Sequence, residues 1–320
     1  MKKILIVGAV GQIGSELTME LRRIYGNDNV IASTRKTPPS DKVKESGPFE
    51  FFDIVDKKGM YDVCKKYNVD CIINMAAILS AVGEQNPLMA WDINMNGLFN
   101  VLEIAREMKM EQVLVPSSIA VFGPGTPLDS APQETVLKPT TMYGVTKVAG
   151  ELVGDYYAKK YNLDVRGLRY PGIISNETLP GGGTTDYAVA IYYDAVKYGK
   201  YTCFVREDTR LPMMYMPDCL KATVDLMQAD ASKLIHHSDF NVGAMSFSVG
   251  EMAANIKKYM PNFTIEYKPD FRQAIADSWP NSVDDTAARK EWGWKPSFDL
   301  DAMTQDMLKV IGEKHKQGLI

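Results

Sequence analysis

Two residues suited to acid–base chemistry, Tyr143 and Lys147, stand four positions apart in the segment YGVTK. At that spacing the two side chains share one face of a helix. A nearby ammonium favours the phenolate and lowers the pKa of a tyrosine from its ordinary value of about 10. The pair therefore predicts a general acid or base that works near ambient pH. Alone it is not specific, because tyrosine and lysine at this spacing also occur on plain helix surfaces.

A second chemical signal lies near the amino terminus, where Gly8, Gly11 and Gly14 form a G-x-x-G-x-x-G motif. Glycines permit a tight turn and a close approach of the backbone to a diphosphate, and the helix that follows supplies N–H groups and a positive dipole. A purely structural turn is the alternative explanation. The position directly after an apolar run favours a dinucleotide, with Gln12 and Ile13 on the same turn.

An alternation of strands and helices positions these residues. Short apolar runs predict strands at 3–7, 29–32, 49–52, 70–75, 112–116 and 163–168, and apolar periodicity predicts helices at 12–25, 87–108 and 140–161 and a helical stretch that ends at Tyr67. Such a chain is typical of a doubly wound parallel Rossmann sheet, with its ligand crevice at the carboxyl ends of the strands. We predict an α/β fold with a dinucleotide-binding domain at 1–170 and a smaller, partly interleaved substrate lobe at 171–320.

The composition argues against several classes of protein and site. Among 320 residues, 36 are Lys or Arg and 40 are Asp or Glu, so the net charge is −4, which disfavours sequence-independent binding of nucleic acid. With four cysteines, three histidines and no C-x-x-C pair, neither a disulfide scaffold nor a metal site is expected, although His236 and His237 are adjacent. We see no apolar run of about 20 residues and no cleavable leader, and expect a cytoplasmic protein without a membrane partner.

The end of the second predicted strand bears on the type of dinucleotide. An acidic residue normally binds the adenosine ribose there, but this chain has Thr34 and Arg35, followed by Lys36. Basic residues favour a 2′-phosphate and hence NADP; alternatively Thr34 bonds the ribose and Arg35 packs on the adenine of NAD. Asp53, at the end of the third strand, is a candidate for the adenine amino group or simply for a turn. We expect NAD and leave NADP open.

Several motifs, in sequence order, resemble those of the extended short-chain dehydrogenases/reductases. They are GAVGQIG at 8–14, NMAA at 74–77, the N-x-x-G-x-x-N of Asn94, Gly97 and Asn100, SSIAVFG at 117–123 and YGVTK at 143–147. The resemblance covers nearly the whole chain and implies an enzyme with Tyr143 as the general base. It further implies that Ser118 binds the substrate hydroxyl, with Ser117 as the alternative, and that Lys147 tunes the tyrosine and holds the nicotinamide ribose.

The same resemblance adds residues to the cofactor side and suggests an assembly. Ala76, Asn94 and Tyr170 join the glycine turn as cofactor-binding candidates. Asn94 is also expected to order the active-site helix, with a plain helix-surface role as the alternative. The two long predicted helices resemble those through which relatives form a four-helix dimer interface, so we expect a homodimer.

Five segments of the second lobe narrow the resemblance to the short-chain type of L-threonine 3-dehydrogenases. They are RYPGIIS at 169–175, PGGGTTDYA at 180–188, RLPMMYMPD at 210–218, ADSWPNSVDD at 276–285 and ARKEWGW at 288–294. The implied reaction oxidises the β-hydroxyl of L-threonine to 2-amino-3-oxobutanoate, with hydride transfer to NAD⁺. The implied substrate-binding residues are Ser80, Ser117, Ser118, Tyr143, Gly172, Thr184, Thr185, Asp186 and Trp279, and glycines 181–183 would be the hinge of a closing lid.

Two other functions remain open at this point. A nucleotide-sugar epimerase shares the scaffold, but such enzymes commonly carry an Asn shortly after the RY of strand six, where this chain has Pro171 and Gly172. A non-catalytic redox sensor would bind the dinucleotide without needing Ser118, Tyr143 and Lys147 together. The joint presence of these three residues favours catalysis.

Overall fold

The computed structural model describes residues 3–179 and 181–320. Met1 and Lys2, at the start of the sequence, and Pro180, the first residue of the PGGGTTDYA segment, lie outside the described residues. The strands are β1 (Ile4–Val7), β2 (Val30–Thr34), β3 (Phe49–Phe51), β4 (Cys71–Asn74), β5 (Gln112–Leu114), β6 (Ser117–Ser118), β7 (Val165–Arg166), β8 (Leu168–Tyr170), β9 (Gly172–Ile174), β10 (Lys200–Cys203), β11 (Arg210–Tyr215), β12 (Phe240–Asn241), β13 (Met245–Ser248) and β14 (Thr264–Tyr267).

Helices connect these strands and cover them. They are α1 (Gln12–Tyr25), α2 (Asp41–Glu45), α3 (Lys57–Tyr67), α4 (Ser80–Gln85), α5 (Pro87–Trp91), α6 (Gly97–Glu107), α7 (Met142–Tyr161), α8 (Tyr187–Tyr198), α9 (Met216–Gln228), α10 (Val249–Tyr259), α11 (Arg272–Ala276), α12 (Thr286–Trp292) and α13 (Leu300–Lys316). A π-helical turn at Asp92–Asn96 joins α5 to α6, and the helix predicted at 12–25 has the bounds of α1.

Six strands form one parallel sheet in the order β3-β2-β1-β4-β5-β7. In this sheet Ile4 pairs with Val30 on one side and with Cys71 on the other. The predicted doubly wound parallel sheet is therefore confirmed. The chain reverses direction across the sheet between β1 and β4, and a ligand crevice is expected outside the carboxyl ends of those two strands.

Alternate residues of β1 belong to two different hydrophobic cores. Ile4 and Ile6 pack in the core that contains Leu17 of α1, whereas Leu5 and Val7 pack in the core on the other side of the sheet, which contains residues of α3 and α6. Successive side chains of a strand point to opposite faces. An uninterrupted apolar run is thus what a strand covered by helices on both sides requires.

The second half of the chain adds three small sheets. Their orders are β13-β11-β9, β10-β14 and β12-β8-β6. A third core joins α8 and α13 with the segment 119–122, so residues from both halves share it. This sharing agrees with the expected interleaving, while the boundary between residues 170 and 171 stays a prediction.

Two predicted elements differ from the observed ones. The strand predicted at 163–168 is split, because β7 lies in the large sheet and β8 pairs with β6 and β12. Gly167 separates them, and a Cβ there would lie 2.3 Å from the carbonyl oxygen of Ser238, so the two backbones meet too closely for a side chain. The helix predicted at 87–108 is interrupted by the π-helical turn.

The remaining sequence expectations concern membrane-spanning helices, cysteine pairing and metal binding. None of the described helices is both long and apolar enough to cross a membrane. The four cysteines are buried and unpaired. His236 is paired with Glu291, with Nδ1 and Oε1 2.5 Å apart, and its Nε2 lies 3.3 Å from Oε1 of Glu134. In the part of the chain that the structure describes, no group of three or more His, Cys, Asp or Glu is arranged to hold a metal ion.

Candidate active site

The glycine turn follows β1 at the carboxyl end of the sheet, and its three glycines differ in how tightly they are packed. Gly8 has a φ of +87°, and a Cβ there would lie 2.7 Å from the backbone nitrogen of Ala76. At Gly14 a Cβ would lie 2.3 Å from the carbonyl oxygen of Gly8. At Gly11 the nearest atom is 3.5 Å away, so the fold leaves this position open toward the cleft. The fold itself therefore requires Gly8 and Gly14, whereas Gly11 leaves room for a ligand.

Unpartnered donors lie beside this turn. Gly11 caps α1 without any side-chain hydrogen bond, and the first turn of the helix contains no acidic residue. The side-chain amide nitrogen of Gln12 is buried and has no hydrogen-bond partner. A buried donor without an acceptor costs about 1–3 kcal/mol, and the oxygens of a diphosphate at a helix N-terminus would supply acceptors. These residues fit the phosphates of a dinucleotide.

The candidates for the adenosine end lie beside the turn but do not line the cleft. The backbone N–H of Gly8 donates to the carbonyl of Ser33 (3.0 Å), which places Thr34 and Arg35 next to the turn. Arg35 lies 3.8 Å from a carboxylate oxygen of Asp53, and both are partly exposed. The other oxygen of Asp53 accepts a hydrogen bond from the backbone two residues on (3.2 Å), so the turn-forming role of Asp53 is observed.

Helix α7 carries the tyrosine and the lysine in its first two turns. Thr141 caps the helix by accepting a hydrogen bond from the N–H of Gly144 (3.0 Å). The ammonium of Lys147 donates to the carbonyl oxygen of Pro116 (2.7 Å) and lies 5.4 Å from the centre of the Tyr143 ring. Both side chains line the cleft. The predicted sharing of one helix face is thus what the structure has.

The two candidate serines are neighbours on strand β6 but have different partners. The side chain of Ser118 is near enough to Tyr143 to favour its phenolate, and it accepts a hydrogen bond from the N–H of Ala120 (3.2 Å). Ser117, by contrast, donates its hydroxyl proton to Glu151 (2.5 Å). Neighbouring residues of a strand point to opposite sides, which is why only one of the two serines contacts the tyrosine.

Burial dominates the electrostatics of this end of the cleft. It raises the pKa of Tyr143 to about 12, against the opposing hydrogen bond from Ser118. It lowers the pKa of Lys147 to about 8, against the opposing charge of Glu151. The lowered tyrosine pKa that the spacing predicted is therefore wrong for the protein alone, because desolvation of the phenolate outweighs the hydrogen bond from Ser118. Bringing the pKa from about 12 to about 7 would take roughly 7 kcal/mol.

Asn94 lies in the π-helical turn and ties two segments together. Its side-chain oxygen accepts from the N–H of Ile78 (2.8 Å), and its side-chain nitrogen donates to the carbonyl of Ile78 (3.1 Å) and to Thr146 Oγ1 (3.0 Å). Thr146 in turn donates to the carbonyl of Tyr143 (2.8 Å). Asn94 therefore orders the active-site helix; it does not line the cleft, and its role as a cofactor contact stays a prediction.

The opposite wall of the cleft is built by the segment 181–186. The hydroxyls of Ser80 and Thr184 are 2.9 Å apart, and both residues are buried. Asp186 accepts hydrogen bonds from the N–H groups of Gly182 and Gly183 (2.9 Å each), which closes the loop on itself. Burial raises the pKa of Asp186, and these two N–H groups oppose the rise. The predicted lid segment is thus folded against the cleft.

The cleft as a whole has a volume of about 370 Å³. It is lined by the predicted residues Gly8, Gly11, Gln12, Ile13, Gly14, Ser80, Ser117, Ser118, Tyr143, Lys147, Tyr170, Gly172, Thr184, Thr185, Asp186 and Trp279. Thr34, Arg35, Asp53, Ala76 and Asn94 lie outside this lining, and Ala76 instead packs against Gly8. One glycine turn and one tyrosine–lysine pair therefore meet in a single cleft.

Sequence reasoning missed two kinds of residue. Apolar side chains such as Leu79, Val82 and Ile119 line the cleft without any chemical signature. Glu151 lies one helical turn beyond Lys147 and opposes the lowering of its pKa. The sequence signal for Glu151 was its position four residues after Lys147, the same spacing that separates Lys147 from Tyr143.

Comparisons with known proteins agree with this geometry. The model of the NAD dependent epimerase/dehydratase family matches residues 4–243. An L-threonine dehydrogenase from Clostridium difficile is 57% identical, with 98% of each chain covered and a TM-score of 0.95. A monomeric L-threonine 3-dehydrogenase from a metagenome is 47% identical, with 97% of this chain and 99% of that chain covered and a TM-score of 0.94.

An uncharacterized epimerase/dehydratase from Staphylococcus saprophyticus is 50% identical over 317 residues, or 99% of each chain. These likenesses extend over both halves of the molecule and not only over the glycine-turn half. The chain belongs to the NAD-dependent epimerase/dehydratase family.

Proposed function

We propose that this protein is an L-threonine 3-dehydrogenase, which oxidises the β-hydroxyl of L-threonine to 2-amino-3-oxobutanoate with a nicotinamide dinucleotide as hydride acceptor. The observation that carries the proposal is that Ser118, Tyr143 and Lys147 meet in one cleft with the glycine turn. The similarity to L-threonine dehydrogenases over at least 97% of the chain supports the choice of substrate.

The chain's own residues divide the proton chemistry among them. Tyr143 takes the proton from the substrate hydroxyl, while Ser118 holds the same oxygen by a hydrogen bond. Lys147 is fixed by the carbonyl of Pro116 and presents its charge below the tyrosine ring. When bound, the dinucleotide supplies the hydride acceptor and the positive charge of its oxidised ring. Because burial raises the pKa of Tyr143 to about 12, the phenol of the protein alone keeps its proton at neutral pH, so Tyr143 must first release that proton to accept the one from the substrate.

The substrate end suits a small zwitterion. In this proposal Thr185 hydrogen-bonds the carboxylate of threonine, and Ser80, Thr184, Asp186 and Trp279 form the walls. Buried polar groups that need a partner discriminate well against molecules that lack one. The contacts between Ser80 and Thr184 and within 182–186 keep this wall closed, so we propose that the glycines open it to admit the substrate.

A nucleotide-sugar epimerase fits the same cleft less well. The Asn that such enzymes commonly carry shortly after the RY has no room at position 172: a Cβ there would lie 2.4 Å from the sulfur of Met213 and 2.9 Å from a methyl carbon of Thr185. A sensor without catalysis would not need the contact between Ser118 and Tyr143. Dehydrogenation of a small alcohol accounts for both observations.

Within this proposal we favour NAD over NADP. A 2′-phosphate near Arg35 would also approach the carboxylate of Asp53, which lies 3.8 Å from the arginine and would repel it. The exposure of both side chains makes the preference a modest one.

One assay tests substrate and cofactor together. Purified protein is mixed with L-threonine and either NAD⁺ or NADP⁺, and reduced cofactor is followed by its near-ultraviolet absorbance, with D-threonine as the control. We expect reduction with L-threonine that is faster with NAD⁺. Absence of a threonine-dependent signal with both cofactors would overturn the proposed function, whereas a faster rate with NADP⁺ would overturn only the cofactor preference.

We also propose that the protein is a homodimer. Large apolar side chains are exposed on α5, α6 and α7, and they include Leu88 (85% exposed), Met89, Trp91, Phe99, Val145, Leu152 (66% exposed) and Tyr156. Contiguous exposed apolar surface of this kind marks protein contacts. Light scattering should give twice the chain mass, and Leu152→Glu should give the single-chain mass. A wild-type monomer at micromolar concentration would contradict the proposal.

The setting that we propose is the cytoplasm. Cys64, Cys71, Cys203 and Cys219 are all buried and unpaired. Free thiols in a chain of this size are usual in a reducing compartment. Fractionation of the source cells should recover the threonine-oxidising activity with cytoplasmic enzymes.

A further inference from the structure

A second, smaller cavity lies next to the cleft, and Lys147 and Ser117 line both spaces. Its volume is about 20 Å³, which is room for about one water molecule. Glu151 and Ser238 line the cavity as well. Lys147 therefore lines a small second space in addition to the cleft.

The carboxylate of Glu151 is fixed on the wall of this cavity. One oxygen accepts from the hydroxyl of Ser117 (2.5 Å) and from Nε of Arg169 (2.9 Å), and the other accepts from a terminal nitrogen of Arg169 (2.8 Å). The side chain of Glu151 is only 6% exposed. With both oxygens held by these partners, the charge of Glu151 acts on Lys147 across the cavity.

Arg169 does not neutralise this region completely. A second carboxylate, that of Asp239, lies 3.4 Å from the same guanidinium. Burial raises the pKa of Asp239 to about 6, with Arg169 opposing the rise. Arg169 thus shares its charge between the carboxylates of Glu151 and Asp239. The charge of Glu151 also acts on Lys147, four residues earlier on α7 and on the wall of the same cavity.

We propose that Glu151 is a positioning residue of the active site: its buried carboxylate, fixed by Ser117 and Arg169, keeps the ammonium of Lys147 protonated from behind. The consequence for turnover rests on the proposed dehydrogenase function, but the charge state of Lys147 can be measured without it. Charges in a water-poor interior interact more strongly than in bulk water, so one carboxylate on this wall has a measurable effect.

Two opposing effects set the pKa of Lys147, and they show why the carboxylate of Glu151 matters. Burial lowers its pKa to about 8, and the charge of Glu151 opposes that fall. Without the carboxylate, the lysine would lose its proton at a lower pH and would no longer present a charge to Tyr143. The titratable and charged groups that face this cluster are Tyr143, Glu151 and Asp155 from α7, Arg169 from β8, Asp239 from the segment before β12, and, beyond these, Glu134 and His236.

The direct test is a titration of Lys147 in wild type and in Glu151→Gln. Lysines carrying ¹³C at Cε are followed by NMR against pH, and Lys147 is identified by the signal missing in Lys147→Met. We expect a midpoint near pH 8 for the wild type and a midpoint at least one pH unit lower in Glu151→Gln. NADH fluorescence provides a second readout, and the pH above which its binding weakens should fall by the same amount. An unchanged midpoint in Glu151→Gln would overturn the inference.

Two further variants separate charge from packing. Glu151→Asp keeps the charge and should restore most of the midpoint. Asn241→Ala removes a hydrogen-bond acceptor of Arg169 (3.2 Å) without removing a charge, and should leave the midpoint of Lys147 unchanged. A midpoint that falls equally in Asn241→Ala would assign Glu151 a structural role only and would also overturn the inference.

The test remains available if Glu151→Gln does not fold, because that variant leaves Arg169 with less charge compensation in the interior. The double variant Glu151→Gln/Arg169→Met buries no uncompensated guanidinium, and it should still lower the midpoint of Lys147. None of these measurements uses threonine. Failure of the proposed reaction would therefore appear in the turnover assay alone, and failure of this inference would appear in the lysine titration alone.

Discussion

The two ends of the cleft are built on opposite principles. At the glycine turn the site depends on absent side chains and an unmet hydrogen bond. Gly8 and Gly14 have no room for a Cβ, and the side-chain amide nitrogen of Gln12 has no hydrogen-bond partner. At the catalytic end the side chains are already engaged, as Lys147 is with Pro116 and Ser80 is with Thr184. The first end is therefore sensitive to added atoms, and the second to removed ones.

The strongest challenge to this contrast is Tyr143→Phe, which removes a single oxygen at the catalytic end. Because the phenol is the proposed proton acceptor, threonine-dependent turnover should fall by about 1,000-fold, the usual contribution of a general base. The ring remains to fill its buried position, so the NADH dissociation constant should stay within about threefold by fluorescence titration. Near-normal turnover would remove Tyr143 from the mechanism.

Adding one methyl group at the glycine end gives a matched pair of variants. Gly14→Ala places a Cβ 2.3 Å from a backbone oxygen, so the free energy of unfolding should fall by about 1–3 kcal/mol in a denaturant titration. Gly11→Ala meets no atom closer than 3.5 Å, so its stability should change by less than about 1 kcal/mol.

NADH binding should separate this pair further. Because Gly11 faces the cleft, the new methyl group should weaken NADH by roughly tenfold to hundredfold through steric overlap with the phosphates. If Gly11→Ala binds NADH as tightly as the wild type, the turn does not hold the diphosphate. The contrast between the two ends would then have to be withdrawn.

The smallest expected effect comes from Ser80→Ala. It removes the hydrogen bond of 2.9 Å to Thr184 on the wall of the cleft. Ser80 is also a proposed substrate-binding residue, and a hydrogen bond contributes about 1 kcal/mol net, so loss of its hydroxyl from the substrate complex should raise the KM for threonine about fivefold while kcat and NADH affinity change little. Ser232→Ala, which breaks a hydrogen bond on an exposed turn far along the chain, is the control and should leave all three constants unchanged.

Much of the order of strands and helices was predictable from the local pattern of apolar residues. Apolar strands covered on both faces leave uninterrupted runs in the sequence, as in β1, and a helix with one buried stripe shows its period, as in α1. The split at Gly167 was not visible in this way, because it depends on the backbone of residue 238 crossing at the same place. The short helix α4 was not predicted either, since six residues are too few to show a period.

The sequence predicted which residues form the candidate site better than it predicted their pKa values. Spacing placed Tyr143 beside Lys147, but spacing does not report burial. Segments that are distant in the sequence bury this end of the cleft, and that burial raises the pKa of Tyr143 to about 12. Glu151 was overlooked for the same reason, since its partner Arg169 comes from a strand 18 residues away.

The pairing of β6 with β8 has a consequence for how this enzyme can vary. Ser117 lies opposite Arg169 and Ser118 opposite Tyr170, so the alternation of side chains along β6 decides which serine lies beside Tyr143 and which is bonded to Glu151. Removing or inserting one residue near Pro116 would exchange their sides and would direct the wrong hydroxyl at Tyr143. Substitutions in this segment can be tolerated one at a time, whereas changes in its length cannot, and a library that diversifies it should hold the length fixed.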